Sequence, residues 1–191
     1  MNLKNYHVIL ASNSPRRKEL LRGLGIEFEV RTLPDIEESY PDTLQRGDIP
    51  LYISREKADA YRASMADDEL VITADTIVWL HGEVLGKPRD REDAIRMLRK
   101  LSGNIHQVYT GVTLTTCVWQ HSFSVETHVH FAPLSEEDII YYVDTYRPFD
   151  KAGAYGVQEW IGFVGVERIE GSYFNVMGLP VQRLYTEFCR L

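Results

Sequence analysis

An α/β fold with a mixed sheet and flanking helices is expected from three observations. Helical and strand-like segments interleave along the chain, an apolar strand runs directly into a helix start at Ser12–Pro15, and two long β-rich stretches follow one another with only a short break. The 191 residues suit a single domain covering 1–191, long enough for a sizeable core.

His7 to Ala11 is a short apolar run and predicts a buried first strand. Ser12 to Ser14 breaks it, and Pro15 fits the first turn of a helix, where a missing N–H leaves no bond unmade. Leu20, Leu21 and Leu24 give that helix an apolar face, with Gly25 as its end. Ile26 to Arg31 alternates and predicts a second strand, and the polar, proline-bearing stretch Thr32 to Pro50 predicts a loop. Leu51 to Ala63 has helical spacing, with Tyr52, Ile53, Ala58 and Tyr61 as contacts. Leu70 to Leu80 is rich in Val, Ile and Thr and predicts a strand, turning at His81-Gly82 into Glu83 to Leu85. Asp90 is placed to cap a helix through Leu101 that ends at Gly103. Gln107 to Val118 and Ser122 to Phe131 predict an antiparallel pair of long strands. Ser135 with three following acids opens another helix, because acids suit its positive end. Phe149 to Gly165 is glycine- and aromatic-rich and reads as irregular, and Pro180 starts a last helix ending near Arg190.

Composition excludes several classes of function. Hydrophobic residues are 44% and charged residues 26%, a globular balance rather than a disordered one. The 21 Lys and Arg against 28 Asp and Glu give a net charge of −7. That argues against a stable nucleic-acid complex, which needs a basic face, yet leaves room for a small anion at a local cluster of cations. No apolar stretch is long enough to span a membrane, and Met1 to His7 lacks the apolar run of a signal peptide. Cys117 and Cys189 are far apart without metal spacing and read as free, partly buried thiols in a reducing compartment, so a cytoplasmic protein is expected.

Two motifs carry chemistry. In Ser12-Asn13-Ser14-Pro15-Arg16-Arg17, unpaired N–H groups and the helix dipole favour an anion, serine hydroxyls can donate to phosphate oxygens, and arginines can grip them with paired bonds. The plainer alternative is that Ser14 only caps the helix while both arginines are solvated. In Ala74-Asp75-Thr76, an aspartate stands among Val71, Ile72, Ile77 and Val78, where an unpaired carboxylate is expensive. It reads either as a metal ligand or water-orienting base, or as a structural Asp satisfied by backbone donors. Lys87, between Gly86 and Pro88, could neutralise phosphate charge, although the segment is not a P-loop. Glu37-Glu38 could supply a metal ligand, and Lys57 follows Glu56 on a helix. His106 reads as a hydrogen-bonded structural histidine, and His128 and His130 share one face of a strand without identifiable further metal ligands.

These residues resemble the Maf family of nucleotide pyrophosphatases. The resemblance rests on an ordered set: Ser12-x-Ser14-Pro15-Arg16-Arg17-x-x-Leu20-Leu21, Glu37-Glu38, Arg55-Glu56-Lys57-Ala58, Ala74-Asp75-Thr76, Gly86-Lys87-Pro88, Leu101-Ser102-Gly103 with His106, and Thr110-Gly111-Val112. Asp150-Lys151-Ala152-Gly153-Ala154-Tyr155-Gly156-Val157-Gln158, Gly171 to Val176 and Gly178-Leu179-Pro180 continue it to the last helix. The resemblance implies two lobes around a central cleft, with a curved mixed sheet, and hydrolysis of a nucleoside triphosphate between its α- and β-phosphates with magnesium or manganese. It implies Asp75 as the proton acceptor, Glu38 and Asp75 as metal ligands, and Ser14, Arg16, Arg17, Lys57 and Lys87 around the phosphates. Arg16, Thr76 and Gln158 resemble the base-reading residues of the branch acting on dTTP and UTP. Glu159-Trp160 departs from the pattern, where glycine often follows the glutamine. The alternatives are a nucleotide- or nucleic-acid-binding regulator of septum formation and a pyrophosphatase for modified purines such as 7-methyl-GTP. An aromatic run from Phe149 to Phe163 would suit a homodimer contact.

Overall fold

The structure is a computed structural model that describes residues 3–34, 36 and 38–191. Glu37, read with Glu38 as a candidate metal ligand, lies outside the described residues. Among the described residues seven strands form one mixed sheet in the order β2-β1-β3-β5-β6-β7, with β4 paired to β3. The strands are β1 His7–Leu10, β2 Glu29–Val30, β3 Glu69–Leu80, β4 Glu83–Leu85, β5 Ile105–Thr115, β6 Gln120–Phe131 and β7 Val166–Glu170. The helices are α1 Pro15–Gly23, α2 Asp48–Tyr61, α3 Arg91–Leu101, α4 Glu136–Tyr146, α5 Trp160–Gly165, α6 Tyr173–Met177 and α7 Val181–Phe188. No helix is long and apolar enough to cross a membrane among the described residues.

The chain divides into two compact units, each assembled from separated segments. The first comprises Met1–Asp75, Thr110–Val125 and Gly178–Leu191, and the second Thr76–Tyr109 and Glu126–Met177. In the first unit β1 pairs in parallel with β2 on one side and β3 on the other, with Leu10 opposite Ile72. A parallel strand needs a crossover, and α1 and α2 supply the two. Ile9, Leu10, Leu70, Val71 and Ile72 are fully buried, as expected for strands covered on both faces. The β5–β6 hairpin is antiparallel as expected. Thr115 bonds Gln120, Thr113 bonds Ser122 and Tyr109 bonds Glu126, so one index falls as the other rises.

In the second unit β3 turns at His81, held at φ 51°, into antiparallel β4. The Asp90 carboxylate caps α3 by accepting the Asp93 N–H. Ser135 and Asp138 form a reciprocal capping box on α4, which satisfies two of its end groups at once.

Several boundaries and assignments differ from expectation. The second strand pairs over only Glu29–Val30, both exposed at the sheet edge. Helix α2 starts at Asp48, three residues earlier, because a proline at position 50 falls in the first turn, where it is tolerated. The stretch read as irregular contains α5, and β7 and α6 follow where no element was assigned. Both cysteines are free, but exposed rather than partly buried. Of the aromatic run, Tyr155 is buried and Phe163 is 80% exposed, so the run is not one surface patch.

Candidate active site

The start of α1 and the middle of β3 are neighbours by construction. Because Leu10 lies opposite Ile72 and the Ala11 N–H continues the ladder to the Ile72 carbonyl, the chain leaves β1 level with Thr73–Asp75. Ser14 is the N-cap of α1, and its hydroxyl accepts the Arg17 N–H at 3.4 Å. The Ser12 hydroxyl accepts the Ser14 N–H at 3.2 Å, which fixes the turn ahead of the helix. Both plain and functional readings of Ser14 are therefore compatible, since a hydroxyl that accepts still has a proton to donate.

Arg17 is more constrained than its motif suggested. Its Nε donates to the Gly178 carbonyl at 2.8 Å and its Nη1 to the Ala74 carbonyl at 3.0 Å. The guanidinium thus ties the first turn of α1 to β3 immediately before Asp75 and to the segment leading into α7. Burial lowers its pKa from the ordinary guanidinium value, Asp75 and Glu38 act to raise it, and the neighbouring Arg16 acts to lower it. Arg16 is the second residue of α1 and only partly buried.

The carboxylate of Asp75 has the partner its burial requires. Lys57 of α2 donates from Nζ to Oδ1 of Asp75 at 2.9 Å and lies 2.7 Å from Oε1 of Glu38. Lysine and aspartate side chains are 13% and 12% exposed, so this pair is shielded from most solvent screening. Backbone donors alone do not explain Asp75.

What holds Lys57 there is a helix seated unusually close to the sheet. A Cβ added to Gly111 of β5 would stand 2.3 Å from the carbonyl carbon and oxygen of Pro50, so only glycine admits the first turn of α2. One turn on, Ser54 meets Thr113 hydroxyl to hydroxyl at 2.9 Å, and Thr73 donates to the Ser54 carbonyl at 2.7 Å. All three side chains are fully buried. Thr73 and Asp75 share one face of β3, and Lys57 lies one turn beyond Ser54. The bonds that seat Ser54 on Thr73 therefore also set Lys57 over Asp75. The sequence reading missed Ser54, Thr73 and Thr113. A run of small and hydroxyl residues facing a helix was the available signal.

The second unit carries Thr76, Lys87 and Gln158. Thr76 follows Asp75 on β3 and points to the opposite face. Lys87 is exposed on the segment after β4, which is pinned where the Gly86 carbonyl accepts the Gly153 N–H at 3.0 Å. Gln158 lies in a turn closed by the Glu159 N–H on the Gly156 carbonyl at 2.9 Å. Its Oε1 is buried and has no hydrogen-bond partner among the described residues. A buried acceptor left unmade is costly, and such an atom commonly awaits a ligand donor or a water.

His106 is held by a hydrogen bond and ring packing, the structural role its place in the sequence suggested. His106 is fully buried, 2.7 Å from the Tyr155 hydroxyl through Nε2, and packs edge-on against Phe131 and Tyr155. Burial, with a smaller effect from His130, pushes its pKa down to about 3. His128 pairs with Glu126 and His130 with Glu170. Among the described residues no group of three or more His, Cys, Asp and Glu is arranged to hold a metal.

The fold is that of a known structural class. The Ham1 protein of Staphylococcus aureus superposes with a TM-score of 0.55 at 17% identity, covering 96% of this chain and 98% of that one. The Ham1 protein of Coxiella burnetii gives 0.51 at 15% identity, covering 97% and 100%. The family model described as Maf-like protein matches residues 7–191. The chain belongs to the Maf family. A Phocaeicola vulgatus protein named dTTP/UTP pyrophosphatase is 67% identical over 190 residues, spanning 100% of this chain and 98% of its own. A Bacteroides thetaiotaomicron protein of the same name is 65% identical over the same spans.

Proposed function

We propose that this chain hydrolyses dTTP and UTP to the nucleoside monophosphate and pyrophosphate, working as one catalytic domain. The observation that carries the reading is the Lys57 ammonium held between the carboxylates of Asp75 and Glu38, beside the Ser14–Arg17 helix start. Relatives bearing that activity in their names align over the whole chain.

Phosphoryl transfer needs positioning and charge neutralisation more than covalent help. Asp75 accepts a proton from water through Oδ2, while Lys57 holds Oδ1. The water oxygen bonds to the α-phosphorus, the bridging oxygen to the β-phosphorus departs with its electron pair, and pyrophosphate leaves. Ser14, the α1 N–H groups, Arg16, Lys57 and Lys87 bind phosphate oxygens, and Arg17 orients α1 against β3. Glu38 and Asp75 are the residues that would hold a divalent cation. Two carboxylates already converging on one cationic nitrogen are oxygen donors of the kind that would suit magnesium or manganese. When bound, such an ion neutralises phosphate charge and polarises the P–O bond. Gln158 reads the base: its unpartnered Oε1 matches the N3–H donor of thymine and uracil, where cytosine presents an acceptor. Arg16 and Thr76 are assigned to the same discrimination.

The test is a panel of natural and modified triphosphates assayed for released pyrophosphate with added magnesium or manganese. dTTP and UTP should lead it, each giving its monophosphate. A leading purine such as 7-methyl-GTP, release of single phosphates, or binding without turnover would overturn the reading.

A further inference from the structure

Gln158 stands on no helix or strand, yet base discrimination requires its amide to stay in one place. Its turn is gripped from outside by two buried side chains. The Tyr142 hydroxyl of α4 accepts the Gly156 N–H at 3.0 Å and donates to Oε2 of Glu159. Lys151 approaches the other oxygen, Oε1, at 3.1 Å and also bonds Asp150 at 2.8 Å. Tyr142 is fully buried and Lys151 nearly so. Both ends of the Gly156–Glu159 turn are therefore bonded to one phenol, and Gln158 sits between them.

The glutamate and the glutamine also crowd the same glycine. A Cβ on Gly156 would lie 2.9 Å from Cδ of Glu159 and 3.0 Å from Nε2 of Gln158. Carboxylate and amide thus both lie against Gly156, which leaves them room because it carries no side chain. The Glu159 carboxylate is the acceptor for both donors, one oxygen to each.

We propose that Glu159, gripped by Tyr142 and Lys151, is a positioning residue for base selection, holding the Gln158 amide in register with the pyrimidine N3–H. This rests on the proposed dTTP/UTP activity. A buried phenol is suited to the task because it both accepts and donates, and burial with the Glu159 carboxylate beside it raises its pKa, so it stays neutral.

The experiment compares kcat/KM for dTTP against dCTP, and for UTP against CTP, in wild type, Tyr142→Phe, Glu159→Gln, Gln158→Ala and the Tyr142→Phe/Gln158→Ala pair. Each of the first two changes should lower the preference about tenfold, the scale of one well-placed hydrogen bond. In the Gln158→Ala background Tyr142→Phe should lower it no further than about twofold, because the residue being positioned is gone. A merely structural role would not produce that loss of effect. Full additivity, an unchanged preference in both single variants, or failure of both to yield folded protein would overturn the proposal. A wild type that discriminates pyrimidines while the variants do so equally well sinks this inference alone. A wild type without pyrimidine preference sinks the functional reading instead.

Discussion

The Lys57–Asp75 cluster of the first unit and the Gln158 turn of the second are both polar and both shielded, but they are fixed by different means. The first is a contact between side chains on regular elements. Its geometry follows from how closely α2 sits on the sheet, which Gly111, Ser54 and Thr73 determine. The second lies on irregular backbone, and its geometry follows from hydrogen bonds reaching in from Tyr142 and Lys151. A reacting carboxylate needs a cation at a set distance, which a strand and a packed helix supply. The amide proposed to read the base needs an acceptor left unmade, and irregular backbone can present one if buried donors stop it from collapsing onto its own neighbours.

The largest expected effect falls on the first region. Asp75→Asn keeps an oxygen for the Lys57 ammonium, and Lys57 keeps Glu38, so the fold and nucleotide binding should survive. Loss of the proposed base should slow pyrophosphate release by roughly 100-fold or more. Single-turnover release beside equilibrium nucleotide binding separates the two. Near wild-type turnover would move the base to another residue and dissolve the contrast between a reacting and a recognising region.

Gly111→Ala attacks the same region through packing. The new methyl would meet backbone atoms of Pro50 and Leu51 at 2.3–2.4 Å, and backbone cannot rotate away as a side chain can. Helix α2 must lift, carrying Lys57 from Asp75. A loss of about 3 kcal/mol in denaturant unfolding is expected, at the upper end for an overpacked site. Turnover should fall with it, while the dTTP-over-dCTP ratio of the residual activity holds, because Gln158 is braced separately. A collapse of that ratio would show the two regions to be one mechanical unit.

The same division decides what the sequence makes legible. Asp75 is conspicuous because a carboxylate among Val71, Ile72, Ile77 and Val78 has a local cost that any reader can see. The start of α1 is legible because Ser14-Pro15 is a local cap signal, and it falls where expected. Lys57 stands out only through the family resemblance, since its partners come from Glu38 and Asp75, 19 and 18 residues away. The Tyr142–Glu159 contact spans an irregular stretch and follows no periodicity, so no pattern announces it. Helix α5 is hidden for a related reason. A Cβ on Gly162 would lie 1.8 Å from the Val157 carbonyl oxygen, so its glycine is a packing requirement rather than a breaker. The shortened β2 fails in the other direction: alternation from Ile26 to Arg31 states which face each residue prefers, but not how far an edge strand pairs.

A smaller effect tests how the second unit is buried. His106 shares its hydrogen bond with Tyr155, the residue just before the Gly156–Glu159 turn. Its pKa is pushed down to about 3 in the folded protein by burial and by His130, against about 6.5 in an unfolded chain. Above pH 6.5 both states are neutral and this difference is silent. As pH falls from 6.5 toward 3 the unfolded chain takes up a proton that the folded one refuses, so stability drops by about 1.4 kcal/mol per unit. His106→Gln keeps a polar partner for Tyr155 and does not titrate. Between pH 8 and pH 5 the wild type should therefore lose about 2 kcal/mol more than the variant in urea unfolding, with every other titrating group common to both. Parallel losses would mean that His106 becomes protonated inside the folded second unit. The dry packing around Tyr155 would then be open to water, and the turn beside it would have to be held by Tyr142 and Lys151 alone.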